Sequence, residues 1–111
     1  MAQYISLSNT QEVDDLIEQS HDQPVIIFKH STSCSISSLA KARVDGALRT
    51  GSLTHPVYLL DLLRHRDVSN YIAERLEVRH ESPQVILVDA GRSSYVATHL
   101  DIDPAAIHVA N

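Results

Sequence analysis

The chain has 111 residues, of which 43% are hydrophobic and 21% are charged, and its formal net charge is -5. This length predicts a single globular domain over residues 1–111, and the composition excludes intrinsic disorder. No apolar run approaches the ~18 residues of a membrane span, so we expect no membrane partner. The only basic cluster, Arg64-His65-Arg66, has no interleaved aromatic residues. We therefore expect no nucleic-acid partner, because such surfaces concentrate basic charge on one face.

The N-terminus and the cysteine content indicate where the protein works. The opening residues, Met1-Ala2-Gln3-Tyr4-Ile5, lack a basic region followed by a hydrophobic core, so no secretory signal is visible. Cys34 is the only cysteine and cannot form a disulfide within the chain. Both features are typical of a reducing compartment, and we expect a cytoplasmic protein.

The first strand–helix unit lies before Pro24. Residues 3–6 predict a short strand, and either Ser8 or Thr10 is the expected N-cap of the helix that follows. The apolar residues of this helix fall on one face: Val13, Leu16 and Ile17. The chain then breaks at Asp22-Gln23-Pro24.

The second unit contains the cysteine. Val25 to Lys29 is a continuous apolar run that ends in a lysine, which suits a strand covered on both faces. Apolar residues at helical spacing predict a helix from Ser35 to about Thr50, and Gly51 is its expected C-cap.

A third strand and a crossover helix follow. Val57 to Leu60 predicts another buried strand, and a helix is expected to begin at Asp67-Val68-Ser69. Ser82-Pro83 precedes a strand from Gln84 to Val88. A turn at residues 89–92 predicts a hairpin with a strand from Ser94 to Thr98, and Asp103-Pro104 is expected to open a short closing helix.

The predicted order is β-α-β-α-β-α-β-β-α, without a repeat or a linker. This is the order of the thioredoxin-like fold, with two βα units, a crossover helix, a β-hairpin and a closing helix. Because crossovers between parallel strands are right-handed, we expect an α/β domain with a central mixed β-sheet flanked by helices.

Cys34 is placed between a predicted strand and a predicted helix. The N–H groups and the dipole at a helix N-terminus favour thiolate over thiol, and the hydroxyls of Ser33, Ser35 and Ser37 could donate hydrogen bonds to it. Ser37 stands three residues after Cys34, where a Cys-x-x-Cys motif has its second sulfur. The pattern predicts a one-thiol redox site. The alternative is a buried structural cysteine, which the flanking Ser and Thr residues disfavour.

Three basic residues are candidates for supporting the thiolate: Lys29, His30 and His80. Lys29 adds positive charge, although strand alternation could point it elsewhere. Either histidine would favour the thiolate as an imidazolium, and plain hydrogen bonding is the alternative. The 7 histidines show no metal-pairing spacing and no second cysteine accompanies them, so no metal site is expected.

The Ser82-Pro83 bond is expected to be cis and to lie beside the Cys34 turn. A cis bond would leave the backbone of Ser82 free to pair with an incoming peptide or thiol. The alternative is a trans proline at a strand start, and only ~5–6% of X–Pro bonds in folded proteins are cis. The predicted fold favours cis.

Three separated segments resemble the monothiol bacilliredoxin (YtxJ-like) family of thioredoxin-fold proteins. They are Phe28-Lys29-His30-Ser31-Thr32-Ser33-Cys34-Ser35-Ile36-Ser37, Arg66-Asp67-Val68-Ser69-Asn70 and His80-Glu81-Ser82-Pro83-Gln84. The resemblance spans nearly the whole chain and makes Cys34 the redox cysteine and Pro83 the active-site proline. The family usually has proline directly after the cysteine, where this chain has Ser35. Serine offers a hydrogen-bond donor there, and it loses the rigidity of proline.

The resemblance implies a thiol–disulfide oxidoreductase that removes bacillithiol from mixed disulfides on client proteins. Cys34 would be the nucleophile, and an external thiol would resolve it because the chain has no second cysteine. The expected substrate-binding residues are Thr32, Ser33, Ser35, Ser37, Ser82 and Pro83. No cofactor is expected, and bacillithiol or another low-molecular-weight thiol would be the co-substrate.

Two alternatives belong to other functional classes. One is a non-catalytic binding module with a thioredoxin fold. The other is an iron–sulfur carrier, in which Cys34 from two chains and two small thiols would hold a cluster.

Overall fold

The computed structural model describes residues 4–31 and 35–107. Its strands are β1 (Tyr4–Ser6), β2 (Val25–His30), β3 (Val57–Asp61), β4 (Gln84–Asp89) and β5 (Arg92–Thr98). Its helices are α1 (Thr10–Gln19), α2 (Ser35–Thr50) and α3 (Arg66–Leu76). The strands form one sheet in the order β1-β3-β2-β4-β5. β3 pairs in parallel with β1 and β2, whereas β4 is antiparallel to both β2 and β5, which confirms the predicted mixed sheet.

Strand β2 divides the core into two layers. All of its residues are buried, as predicted for a strand covered on both faces. Val25 and Ile27 pack with apolar residues of α1 and α3, whereas Ile26 and Phe28 pack with apolar residues of α2. This alternation follows from the two-residue period of a strand. It directs the last two residues of β2 to opposite faces of the sheet.

Helix α1 begins with a capping box that the sequence analysis did not identify. The Asn9 side chain accepts a hydrogen bond from the backbone N–H of Glu12 (2.9 Å). The Glu12 carboxylate accepts in return from the backbone N–H groups of Asn9 (3.3 Å) and Ser8 (2.7 Å). The prediction of Ser8 or Thr10 as the N-cap was therefore wrong, since Thr10 is already the first helical residue. Asn9 satisfies one helix donor that would otherwise lack a partner, the N–H of Glu12.

The β4–β5 hairpin confirms the predicted turn. Ala90 and Gly91 both adopt positive φ (53° and 80°), the conformation that two-residue hairpin turns require. After β5, the expected closing helix takes the form of a 3-10 turn at Pro104–Ala106, which Asp103 caps by accepting from the N–H of Ala105. Among residues 4–31 and 35–107, no helix combines the length and apolar character needed to cross a membrane.

Candidate active site

The candidate site lies where the parallel strands end and α2 begins. β2 ends at His30 and α2 starts at Ser35, the residue directly after Cys34 in the sequence. Thr32, Ser33 and Cys34 lie outside the described residues, so their expected roles stay predictions. Neighbouring segments close around this edge of the sheet. The carbonyl of His30, for example, accepts a hydrogen bond from the N–H of Leu62 in the loop after β3 (2.9 Å).

The Ser82-Pro83 bond is cis, as predicted. Pro83 is buried and directly precedes Gln84, which pairs with Lys29 in the β2–β4 ladder. The proline is therefore close to the end of the strand that leads to the cysteine. The Ser82 hydroxyl oxygen is buried and has no hydrogen-bond partner among the described residues. Its role toward a substrate stays a prediction.

Ser37 is held from two sides. It is fully buried on α2, and its Oγ lies 2.6 Å from His30 Nδ1. The backbone N–H of Ser31 donates to the same Oγ (2.9 Å). The structure therefore brings together the end of β2 and the helical position where a second cysteine would stand. Ser35, by contrast, is exposed at the start of the helix.

The electrostatics of His30 favour its neutral form. Burial lowers the pKa of His30, and the nearby Lys41 lowers it further. The carboxylates of Asp61 and Asp45 oppose this shift with smaller contributions. The structure thus supports the hydrogen-bonding alternative for His30 over an imidazolium at neutral pH.

Lys29 points away from Ser37, to the face of the sheet that α3 covers. Its side chain is fully buried, and its Nζ donates to the backbone carbonyl of Ser69 on α3 (3.2 Å). The same Nζ lies 3.3 Å from Nδ1 of His80. Removal from water lowers the pKa of Lys29 to about 8. The predicted basic residues therefore separate into two groups, Lys29 with His80 on one face and His30 with Ser37 on the other.

Ser69, to which the sequence pattern assigned no role, contributes to the first of these groups. Its Oγ lies 3.1 Å from His80 Nδ1, and its residue is fully buried. The sequence pattern that could have indicated it is the helical spacing of Ser69, which places it on the same face as the apolar residues Val68 and Ile72. A polar residue on the buried face of a helix needs a hydrogen-bond partner. The structure provides that partner from the loop before Pro83.

Within the described ranges 4–31 and 35–107, no three His, Cys, Asp or Glu side chains come together in a way that could hold a metal ion.

Comparison with known proteins identifies the family. The sequence model of the monothiol bacilliredoxin BrxC family matches residues 5–107. Among solved structures, the chain is similar to a thioredoxin-fold protein described as a candidate oxidoreductase, with 31% identity and a TM-score of 0.82, over 93% of this chain and 88% of that chain.

Two more distant structures support the fold alone. One is a yeast structure from work on how 1-Cys peroxiredoxin thiols are resolved via the glutathione and thioredoxin systems. It has 20% identity and a TM-score of 0.70, over 94% of this chain and 89% of that chain. The other is Fasciola hepatica thioredoxin, with 13% identity and a TM-score of 0.66, over 86% of both chains. The thioredoxin-like fold predicted from the element order is thus confirmed.

The chain is a thioredoxin-fold redox protein and belongs to the monothiol bacilliredoxin family.

Proposed function

We propose that this protein is a monothiol thiol–disulfide oxidoreductase that removes bacillithiol from mixed disulfides on protein cysteines. The observation that carries the proposal is that the chain's only cysteine directly precedes α2 in the sequence and follows β2, the strand that pairs with the cis-Pro83 segment. A helix N-terminus stabilises a thiolate, and the thiolate is the attacking form in disulfide exchange. Membership of the bacilliredoxin family supports bacillithiol as the thiol removed.

The reaction is a pair of exchange steps without net oxidation. The Cys34 thiolate attacks the bacillithiol sulfur, forming a new S–S bond as the bond to the client cysteine breaks. The client sulfur leaves as a thiolate and takes up a proton. A second low-molecular-weight thiol then attacks the Cys34–bacillithiol disulfide and restores the Cys34 thiolate. The second thiol must come from outside the chain because Cys34 is its only cysteine.

Four of the predicted site residues have a proposed role in these steps. Thr32 and Ser33 would orient the mixed disulfide, and Ser35 would donate a hydrogen bond to the attacking sulfur. The backbone of Ser82, before the cis bond to Pro83, would pair with the extended client segment. The Ser82 hydroxyl has no hydrogen-bond partner among the described residues, so it is a further group that the client segment would satisfy.

The proposed reaction has protein partners, a small co-substrate and a cellular location. Bacillithiolated proteins are the proposed partners, and a low-molecular-weight thiol is the co-substrate. No organic cofactor or metal takes part in the two steps. The proposed location is the cytoplasm, where such thiols are kept reduced.

The test uses one client peptide in two forms, bacillithiolated and glutathionylated on the same cysteine. With reduced thiol in excess, we expect the wild-type protein to accelerate release of bacillithiol from the peptide. Cys34→Ser should release it no faster than buffer, and the glutathionylated peptide should react more slowly with the wild-type protein.

Four results would contradict the proposed function. Wild-type release at the buffer rate would do so, as would unchanged release by Cys34→Ser. Stable binding of the peptide without release would favour a binding module. A brown protein after anaerobic purification, with no release activity, would favour an iron–sulfur carrier.

A further inference from the structure

Three distant parts of the chain meet at one buried lysine. Lys29 comes from β2, Ser69 from α3, and His80 from the loop that leads to Pro83. Lys29 Nζ lies 3.2 Å from the Ser69 carbonyl oxygen and 3.3 Å from His80 Nδ1. Ser69 Oγ lies 3.1 Å from the same Nδ1. Each of the three segments that carried the family resemblance contributes one of these residues, which we call the Lys29 cluster.

The hydrogen bonds of the Lys29 cluster define the protonation of His80. An ammonium group can only donate, so His80 Nδ1 must accept from Lys29 and cannot itself carry a proton. A neutral imidazole with a bare Nδ1 carries its proton on Nε2. His80 therefore has an N–H donor on the side of the ring opposite to Lys29. His80 is exposed, whereas Lys29 is fully buried.

Among the described residues, no carboxylate balances the charge of Lys29. No acidic side chain in residues 4–31 and 35–107 forms an ion pair with Lys29; Glu81, which is near His80, lies 3.7 Å from both Arg79 and His99. Burial is the cause of the lowered Lys29 pKa of about 8, and a free cysteine has a pKa of about 8.5. A proton can therefore pass from Lys29 to a thiolate at little cost in free energy.

The groups around His80 keep the ring neutral at neutral pH. Partial removal of the ring from water lowers the pKa of His80, and the cations of Lys29 and Arg66 lower it further. Glu81 acts in the opposite direction with a smaller effect than that of Lys29. The mobile proton of the cluster is therefore the one on Lys29, and the ring can pass it on by exchanging one tautomer for the other.

We propose that Lys29 and His80 form a proton relay that protonates the thiolate leaving the mixed disulfide. This inference rests on the proposed function. As the client sulfur departs, His80 Nε2–H would give its proton to that sulfur, and His80 Nδ1 would take a proton from Lys29. The products are a neutral client thiol, a neutral Lys29 amine and His80 with its proton on Nδ1. Lys29 then recovers a proton from water through His80. In this scheme His80 contacts the reacting sulfur, and Lys29 and Ser69 act through it as positioning residues.

The kinetic test varies the basicity of the leaving thiol. Single-turnover rates are measured for two bacillithiol mixed disulfides, one releasing a cysteine peptide and one releasing an aromatic thiol whose thiolate needs no proton at neutral pH. We expect Lys29→Met and His80→Gln to slow release of the cysteine peptide at least about tenfold, below the ~10²–10⁴ usual for general acid catalysis because thiolates leave readily. Release of the aromatic thiol should change by less than about twofold.

Two controls separate the relay from a structural role. Lys41→Met removes the only other lysine of the chain and should leave the ratio of the two rates as in the wild type. The wild type should release the cysteine peptide faster than Lys29→Met only at low pH. This difference in rate should disappear as the pH rises through about 8, because Lys29 then loses its proton. His80→Gln changes an exposed residue, so it still provides the test if Lys29→Met does not fold.

The outcomes distinguish the relay from the proposed function. The relay would be overturned if the variants released both thiols equally slowly, or released both as fast as the wild type does. The proposed function would still stand in either case, provided that the wild type exchanges the disulfides. A wild-type protein that exchanges neither disulfide would overturn both the relay and the proposed function.

A readout independent of activity is the ¹⁵N spectrum of the His80 ring at neutral pH. We expect the proton on Nε2 in the wild type and a tautomer mixture in Lys29→Met. A wild-type ring protonated on Nδ1 would also overturn the relay.

Discussion

Ser37 occupies the position at which a two-cysteine redox motif carries its second sulfur, and its hydroxyl makes hydrogen bonds that a thiol would make only weakly. His30 Nδ1 and the backbone N–H of Ser31 both contact Ser37 Oγ in a fully buried environment. A serine there links the end of β2 to the first turn of α2. The residue at the position of a second cysteine thus joins two elements of the site. Under the proposed function, an external thiol resolves Cys34.

The first prediction concerns the stability that Ser37 provides. Ser37→Ala removes one hydrogen-bond partner from His30 and one from the N–H of Ser31, so the free energy of unfolding should fall by about 1–3 kcal/mol. Ser35→Ala, at an exposed position of the same helix, should change it by less than about 0.5 kcal/mol. Urea unfolding of the three proteins measures both values. Equal stability of wild type and Ser37→Ala would show that these hydrogen bonds do not contribute.

Helix α1 illustrates how much of an element is determined by its first residues. Asn9 and Glu12 exchange hydrogen bonds through a capping box, and Ser8 adds a further donor to the Glu12 carboxylate. These hydrogen bonds lower the pKa of Glu12. A helix of 10 residues gains little from propensity alone, so its cap and its packed face determine whether it forms.

The second prediction distinguishes Asn9 from Thr10, one of the two residues expected to be the cap. Asn9→Ala should lower the free energy of unfolding by about 1 kcal/mol, because the N–H of Glu12 loses its acceptor. Thr10→Ala should be neutral or slightly stabilising, since Thr10 is the first helical residue and alanine has the higher helix propensity. Denaturant unfolding gives both values. A larger loss in Thr10→Ala than in Asn9→Ala would contradict the observed capping box.

The elements were predictable where one simple pattern determined them. The apolar run of β2, the helical spacing of α2 and the turn at residues 89–92 all predicted the observed structures. The closing segment was less predictable. Asp103 caps and Pro104 begins a turn as expected, but the turn has 3-10 geometry and ends at Ala106 within the described residues. Local sequence identifies a helix start better than the number of turns that follow, which depends on packing.

The candidate site was predictable in its members and less so in its contacts. The Ser82-Pro83 bond and the helix start at Ser35 followed from the fold. Strand alternation allowed Lys29 to point away from the cysteine, but only tertiary structure shows that it reaches α3. Ser69 could not be assigned because its partner, His80, lies 11 residues away in a loop. Side-chain contacts between distant segments have no local signature.

On the scale of the whole molecule, the sheet separates two kinds of polar chemistry. The α2 face holds His30 with Ser37, and the α3 face holds Lys29 with His80. Both pairs lie at the end of β2 that leads toward Cys34. No described residue forms an ion pair with the buried Lys29 ammonium, and burying an unpaired charge costs stability.

The third prediction is a pH dependence of stability that Lys29 produces. The pKa of Lys29 falls from 10.5 in the unfolded chain to about 8 in the folded protein. Between these values the unfolded chain binds a proton that the folded protein does not. The contribution of Lys29 to the unfolding free energy therefore rises with pH, by up to about 1.4 kcal/mol per pH unit.

Lys29→Met provides the comparison for this rise. The unfolding free energy of the wild type relative to Lys29→Met should increase between about pH 7 and about pH 9.5, because only the wild type has the buried amine. Lys41→Met should behave as the wild type does. Urea unfolding at the two pH values measures the difference. A difference that stays constant or falls as the pH rises would show that the folded protein does not lower the pKa of Lys29.

The central claim is that Cys34 takes bacillithiol from a client cysteine, and intact-protein mass spectrometry of a single turnover tests it most directly. The reduced protein is mixed with a bacillithiolated client protein in the absence of any other thiol. The account predicts one bacillithiol on Cys34 for each reduced client released, and no transfer to Cys34→Ser. A client that is reduced without an adduct on Cys34, or a client protein joined to Cys34 in place of bacillithiol, would contradict it.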